Sequence, residues 1–376
     1  MSESECLNIV DYLKWRGDLP FYKDGFNEVD NLVLCQLCYT DLDDLLKENE
    51  SMTIEEIARW IDEMNDGRKG SGLFHEAAQT RRFNKVKVTH YVSVLDPEKT
   101  LQFAAMCFDI SSSMRYVCFR GTDTTLIGWK ENFMMLYQVV GAQVKAAEYL
   151  EQIGKEKRKL IIGGHSKGGN LALYAAMNAS NRIKKRMIAI YNNDGPEINP
   201  QLFDEHKFRS IEDRYIQIVV EEDEIGQIFH MDHEQRIILS SEKRAYAHDP
   251  YSWLVCGNHF VLGEKLTGRS VKMKRNFDAF LSETSPQERK EFADQLFVSF
   301  MKVGIDDSKK LIGDNRIRMI NTYKIVEDIS QSDVEIRNVA AKFLNIFTSV
   351  YGNNLNRLLE KGEKRILKAA DTVNDI

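Results

Sequence analysis

"LIIGGHSKGGNLALYAA", Leu160 to Ala176, sets an apolar run against a serine flanked by glycines and then continues in small residues at helical spacing. "KLIIGG" reads as a buried strand and "KGGNLALYAA" as a helix that starts directly after Ser166. A strand that turns sharply into a helix at G-x-S-x-G lifts the serine Oγ above the edge of a sheet. Gly164 and Gly168 let the two backbones approach where a side chain would clash, and Gly169, Ala172, Ala175 and Ala176 keep the first helical turns thin. The helix start also aims backbone N–H groups and the positive end of the dipole at the serine, which favours an oxyanion there. Ser166 is the candidate nucleophile; a tight turn without chemistry is the plain alternative.

Working outward, β-rich runs alternate with helical ones. "KVTHYVSVL", "TLQFAAMCFDI" and "RYVCFRG" are separated by the turn signals "DPEK" and "SSS" and read as a meander. A helical stretch from about 127 to 155 precedes "KLIIGG"; the helix after Ser166 leads on to the strands "RMIAIYNND", "YIQIVVEED" and "RIILSSE". Strands spaced by helix-length segments imply crossovers, hence an α/β fold with a mainly parallel sheet and helices on both faces. Residues 1–82 read as an N-terminal helical cover, with Thr53 and Glu56 spaced as a capping box before "IEEIARWIDEM". Residues 83–262 form the α/β core, and 263–376 a C-terminal helical region containing "PQERKEFADQLFVSFMKV" and "IRNVAAKFLNIFTSVYGNNLNRLLEK".

The 376 residues, 43% hydrophobic and 29% charged with only 6 prolines, are those of a globular chain with a sizeable core. A net charge of −6 argues against a nucleic-acid partner. "MSESECLNIVDYLKW" lacks the basic start and apolar run of a secretory signal, and no uncharged apolar stretch is long enough to span a bilayer, so a soluble, cytoplasmic chain is expected. Cys6, Cys35, Cys38, Cys107, Cys118 and Cys256 fit free thiols in a reducing compartment; the apolar flanks of Cys35 and Cys38 speak against a zinc knuckle. No cofactor or metal is called for.

A serine nucleophile needs a base and an orienting acid, which follow it along the chain in this architecture. "RYIQIVVEED" delivers Glu221, Glu222, Asp223 and Glu224 at the carboxyl edge of the sheet; Asp223 falls where the strand should end and is the first choice of acid. Asp194, closing "RMIAIYNND", is the alternative acid, or else a turn residue of "NNDGP". His230 and His233 lie in the crossover before "RIILSSE", at the wrong edge. His248, in "KRAYAHDPYSWLV", follows that strand and is assigned as general base, with His259 in "GNHF" as runner-up. His165 is read as a packing group, and His75, His90 and His206 as structural. Gly121 and Thr122, after "RYVCF", together with Lys167, are placed to supply the oxyanion donors.

The "FRGT" loop with Trp129 beyond it, "GGHSKGGNLA" and "YNNDGP" resemble class 3 lipases, the fungal triacylglycerol lipase type of α/β-hydrolase. More closely, "WRGDLPF", "FNEVDNLVLCQLCY", "FRGTDTTLIGWKENF", "GHSKGGNLALYAA", "YNNDGPEI" and "HDPYSW" are similar to a bacterial family of lipase-like hydrolases, over most of residues 10 to 260. The resemblance implies Ser166 as nucleophile, Thr122 and Lys167 as oxyanion donors, His248 as base, and a lid around Leu126 to Tyr137. Two features depart from it: "DEIG" stands where those lipases usually carry a "DPVP"-like acid segment, and their histidine-glycine segment has no counterpart in "MMLYQVVGAQVKAAEYLEQI". A small ester or thioester is thus as fitting a substrate as a lipid. The expected activity is serine esterase or lipase-like hydrolysis. Its rivals are a silent hydrolase fold used as a binding or regulatory module, and peripheral membrane contact through the amphipathic "LNRLLEKGEKRILKAADTV".

Overall fold

The computed structural model describes residues 7–46, 51–64, 67–68, 70–231, 233–305, 307 and 315–348. Cys6 and the amphipathic stretch near the C-terminus lie outside them. The chain divides into two compact units: one within Met1–Leu95, Phe103–Gly121 and Ala142–Ser270, the other within Asp96–Gln102, Thr122–Gly141 and Val271–Ile376.

The first unit is built on an eight-stranded sheet: β1 (Ser51–Thr53), β2 (Lys87–Asp96), β3 (Leu101–Ser111), β4 (Met114–Phe119), β5 (Lys159–His165), β6 (Met187–Asn193), β7 (Tyr215–Val220) and β8 (Gln235–Ile238). The strands lie side by side in chain order. Pairs β1/β2 and β3/β4 are antiparallel, whereas β4 to β8 run parallel throughout. Seven of the eight strands coincide with runs read from the sequence. The eighth, β1, is three residues long and exists through its pairing with β2.

The helices are α1 (Ile9–Arg16), α2 (Glu28–Leu37), α3 (Asp43–Leu46), α4 (Ile54–Met64), α5 (Ser71–Ala78), α6 (Leu126–Met134), α7 (Gly141–Ile153), α8 (Lys167–Asn178), α9 (Asn181–Lys184), α10 (Glu205–Arg209), α11 (Gly268–Ser282) and α12 (Pro286–Val303); two more span Asn315–Ile329 and Val334–Thr348. The capping box at Thr53 forms as expected: the Glu56 amide donates to Thr53 Oγ1 (3.2 Å) while the Thr53 amide donates to Glu56 Oε2 (2.8 Å). The single helical stretch expected over 127–155 is instead α6 and α7, parted at "QVVG", where two β-branched residues and a glycine weaken the helix. Strand β8 ends at Ile238, short of "SSE": Ser240 Oγ meets Ser252 Oγ at 2.7 Å and accepts the Glu242 amide, a local turn that competes with the ladder.

Strand alternation assigns the helices to faces. On one face Tyr116, Cys118, Ile161, Ala189, Tyr191, Ile218, Val220 and Ile238 form a continuous core with the apolar sides of α1, α2, α4 and α5. On the other, Phe119 meets Tyr149 of α7 (5.9 Å between centroids), and α8 lies on β5 and β6 so closely that a Cβ at Gly164 would overlap the Gly168 backbone. Helices therefore cover both faces of a mainly parallel sheet, the α/β class the sequence implied.

The second unit is helical. An aromatic cluster of Phe133, Phe280, Phe292 and Phe343, with ring centroids 5.2 to 5.6 Å apart, joins α6, α11, α12 and the Val334–Thr348 helix. Helix α12 has the start and stop its sequence specifies: Ser285 and Glu288 form a capping box, Pro286 occupies the first turn, and Gly304 ends it at φ +78°.

Candidate active site

Ser166 stands between β5 and α8 with φ +58° and ψ −132°, a conformation that costs a non-glycine residue about 1–3 kcal/mol and persists only when the surroundings enforce it. They do. The Ser166 amide donates to Asn193 O (3.0 Å), and the Gly169 amide donates back to Ser166 O (2.9 Å). Any side chain at Gly164, Gly168 or Gly195 would collide with backbone, that of Ser166 itself in the case of Gly195. The serine is half-buried, at the carboxyl end of β5 and the N-terminus of α8. The amide of Lys167 lies in the first turn of that helix, at the positive end of its dipole.

The decisive feature is what surrounds His248. Its Nδ1–H faces Asp194 Oδ2 at 2.8 Å and Asp223 Oδ2 at 3.0 Å, so both candidate acids reach the same ring nitrogen. Asp194 closes the turn after β6 at φ +51°; its amide donates to Ile218 O and its Oδ1 accepts the Val220 amide. Asp223 sits in the tight turn after β7 and accepts the Ile225 amide. Both carboxylates are buried, which excludes the solvated acidic loop that four consecutive acidic residues could have formed.

Their protonation differs for physical reasons. Burial raises the Asp194 pKa well above the usual carboxylate range, and the charge on Asp223 raises it further. Asp223 is lowered: burial opposes its charge, but the adjacent His248 and a hydrogen bond from Asp194 outweigh that cost. Burial would lower the His248 pKa; the charge of Asp223 and hydrogen bonds to both acids overcome it and push the ring up to about 10. Burial and the neighbouring charge thus favour the neutral form of Asp194, while the imidazole favours the charged form of Asp223.

The "HDPYSW" segment explains how His248 is presented. Asp249 caps the short turn Pro250–Ser252, and the buried Trp253 indole donates to Ala247 O (3.0 Å). His165 fixes the other side. Its Nε2 bonds His248 O at 3.1 Å, its Nδ1 meets Tyr39 Oη at 3.2 Å, and its ring lies 4.6 Å from that of His248. Burial and the neighbouring His248 hold its pKa well below normal, so it donates from Nε2 as a neutral ring. Among the described residues no hydrogen bond joins Ser166 Oγ to His248.

A sequence profile of the Mbeg1-like family matches residues 77–298, more than half of the chain. The chain belongs to the Mbeg1-like family. The matched span includes Ser166, Asp194, Asp223 and His248. No curated protein matches the chain. Among solved structures it is similar to a fungal lipase in complex with an inhibitor, at 14% identity over 56% of this chain and 78% of that one with a TM-score of 0.37. It is also similar to the M37 lipase, at 17% identity over 52% and 68% with a TM-score of 0.33. The fold assignment stands on the sheet order and the elbow.

The remaining expected residues of this Mbeg1-like chain fall in several places. Gly121 packs so closely against Tyr39 Oη and His165 O that a Cβ there would overlap both, so the chain passes the end of β5 at this point. Thr122 opens the Thr122–Gly141 segment of the second unit, where its hydroxyl pairs with the Asn132 side chain, and α6 belongs to the same segment. His259 is exposed, its ring bonded to Asn258. Cys35 lies on the face of α2 packed against the sheet and Cys38 just beyond the end of that helix; both are buried, and Cys35 Sγ is 3.0 Å from Tyr116 Oη. Sequence reasoning missed Asn31: its amide donates to Asn193 Oδ1 (2.8 Å) and its own Oδ1 accepts from Tyr116 Oη, while Asn193 donates to Gly164 O beneath the elbow. A lone asparagine inside the apolar run of α2 was the available signal. No described helix is long and apolar enough to cross a membrane.

Proposed function

We propose that this protein is a serine hydrolase of carboxylic esters, with a lipid ester, a small ester or a thioester as substrate. The observation that carries the reading is His248 held through Nδ1 by buried carboxylates at the sheet edge where the strained Ser166 stands. In this reading Ser166 Oγ attacks the ester carbonyl while His248 Nε2 takes its proton. The oxyanion is received by the Lys167 N–H at the start of α8. The imidazolium returns the proton to the departing alcohol, leaving an acyl-serine, and water, deprotonated by the same ring, releases the acid. Substrate draws Ser166 Oγ and His248 into hydrogen-bond range, since such contacts commonly tighten only in the complex.

Labelling of the full chain with a fluorophosphonate tests it. Wild type is expected to label at alkaline pH, and Ser166→Ala and His248→Ala are expected not to. Absence of wild-type labelling at every pH overturns the enzyme reading, and labelling that survives Ser166→Ala overturns the nucleophile.

A further inference from the structure

On the loops behind the two aspartates lies a second polar cluster that the hydrolase reading does not use. Glu197, three residues beyond Asp194, is fully buried. Its Oε1 is 2.6 Å from His233 Nε2 and accepts from Tyr215 Oη (2.8 Å); its Oε2 is 3.2 Å from His230 Nδ1 and accepts the Met231 amide (2.7 Å). From these three residues we infer a binding site for a divalent cation of the zinc type, with Glu197, His230 and His233 as ligands.

The argument is one of lone pairs. His233 Nδ1 lies 3.0 Å from Glu234 O, which can only accept, so that nitrogen carries the ring proton and a neutral His233 turns a bare lone pair toward Glu197. His230 Nδ1 lies 3.0 Å from Gln235 Nε2. That amide is oriented by its bonds to Gln217 Oε1 (2.9 Å) and from Gln227 Nε2 (3.3 Å), so it donates, and the single Nδ1 lone pair of a neutral His230, 3.2 Å from Glu197 Oε2, is one an ion would take over from the amide. An imidazole nitrogen 2.6 Å from a buried carboxylate oxygen needs positive charge there, which a bound cation supplies in place of a ring proton.

The donor set suits zinc. His₂Glu with an open fourth position is a familiar zinc arrangement, and a carbonyl holding the distal N–H of a ligating histidine is the usual support. The three ligand atoms all lie within 4.8 Å of one another, as a shared ion needs. His233 also lines a cavity of about 370 Å³ with Tyr215, Gln217 and Glu212, room for a water or small anion as fourth ligand. The ion would tie the loop carrying Asp194 to the crossover carrying Asp223, which the Glu197 amide already joins through Ile228 O (3.0 Å). The inference stands whether or not Ser166 is a nucleophile.

The full chain, stripped with a chelator, is titrated with zinc alone at pH 7.5 against a chromophoric competitor, and separately with cobalt to read the visible spectrum. One equivalent bound with Kd below about 1 μM and a tetrahedral cobalt band are expected. Glu197→Gln and His233→Ala should each weaken binding about 100-fold or more, and His248→Ala should leave it in place. Absence of stoichiometric binding, meaning that protons supply the charge instead, overturns the inference. So does binding that is lost in His248→Ala but kept in His233→Ala, which moves the ion to the Asp194–Asp223–His248 cluster. Should the variants fail to fold, a cobalt spectrum of wild type that lacks tetrahedral intensity overturns it equally.

Discussion

His248 has two carboxylates at Nδ1 where one would orient it, and the pair sets its chemistry. A ring with a pKa pushed up to about 10 is protonated at neutral pH and serves as a base only as the pH rises. Labelling and esterase rates are therefore expected to climb through the alkaline range. Asp223→Asn removes the charge that raises the ring, so the acidic limb of kcat/KM should move down while the maximum falls by up to about 10⁴-fold. Asp194 is driven toward its neutral form, so Asp194→Asn should shift the limb less. Equal shifts in the two pH profiles would contradict this division. The placement of Ser166 at the elbow and of His248 near the same sheet edge was legible from chain order. The acid was legible only as a choice of two, because sequence order places both aspartates after parallel strands and cannot exclude that both converge.

The elbow is an element-scale device, and its glycines are steric requirements. Gly168→Ala would set a methyl group against the Phe119 carbonyl, so a loss of about 1–3 kcal/mol in urea unfolding is expected, together with loss of probe labelling as Ser166 shifts. At the other end of the scale, Thr53→Ala should cost about 1 kcal/mol, by removing the cap that holds the first turn of α4. These two elements could be read directly because their signals are local. Strand β1 could not, since three residues carry no period and depend on a partner 34 to 38 positions away. Nor could the break between α6 and α7, where propensity alone had to be weighed against continued apolar spacing.

Across the whole first unit, stability depends on a few buried charges. Arg82 and Asp30 are both fully buried and bidentate at 2.5 and 2.7 Å; Arg82 also binds the carbonyls of Leu19, Asp24 and Gly25, and Tyr12 Oη donates to Asp30. Arg82→Ala leaves a buried carboxylate without its counter-charge and is expected to cost about 3–5 kcal/mol by chemical denaturation. The active-site cluster gives the pH dependence its sign. The His248 pKa is raised on folding, so its contribution is complete below the ordinary histidine value near 6.5 and fades as pH rises toward about 10. Stability should decline between pH 7 and 9, by up to about 1.4 kcal/mol per pH unit for one proton, and His248→Gln should flatten that decline.

Glu28, on the second helix of the chain, accepts the amide of Phe260, 232 positions later, and pairs with Arg236. The apolar side of α2 thus waits for strands synthesised long after it. At roughly 5–20 residues per second, the ribosome delivers that partner about 10–50 s later. For that interval the end of α2 that carries Glu28 has its closing partner still to come, so this chain is expected to engage chaperones that meet polypeptides at the exit tunnel.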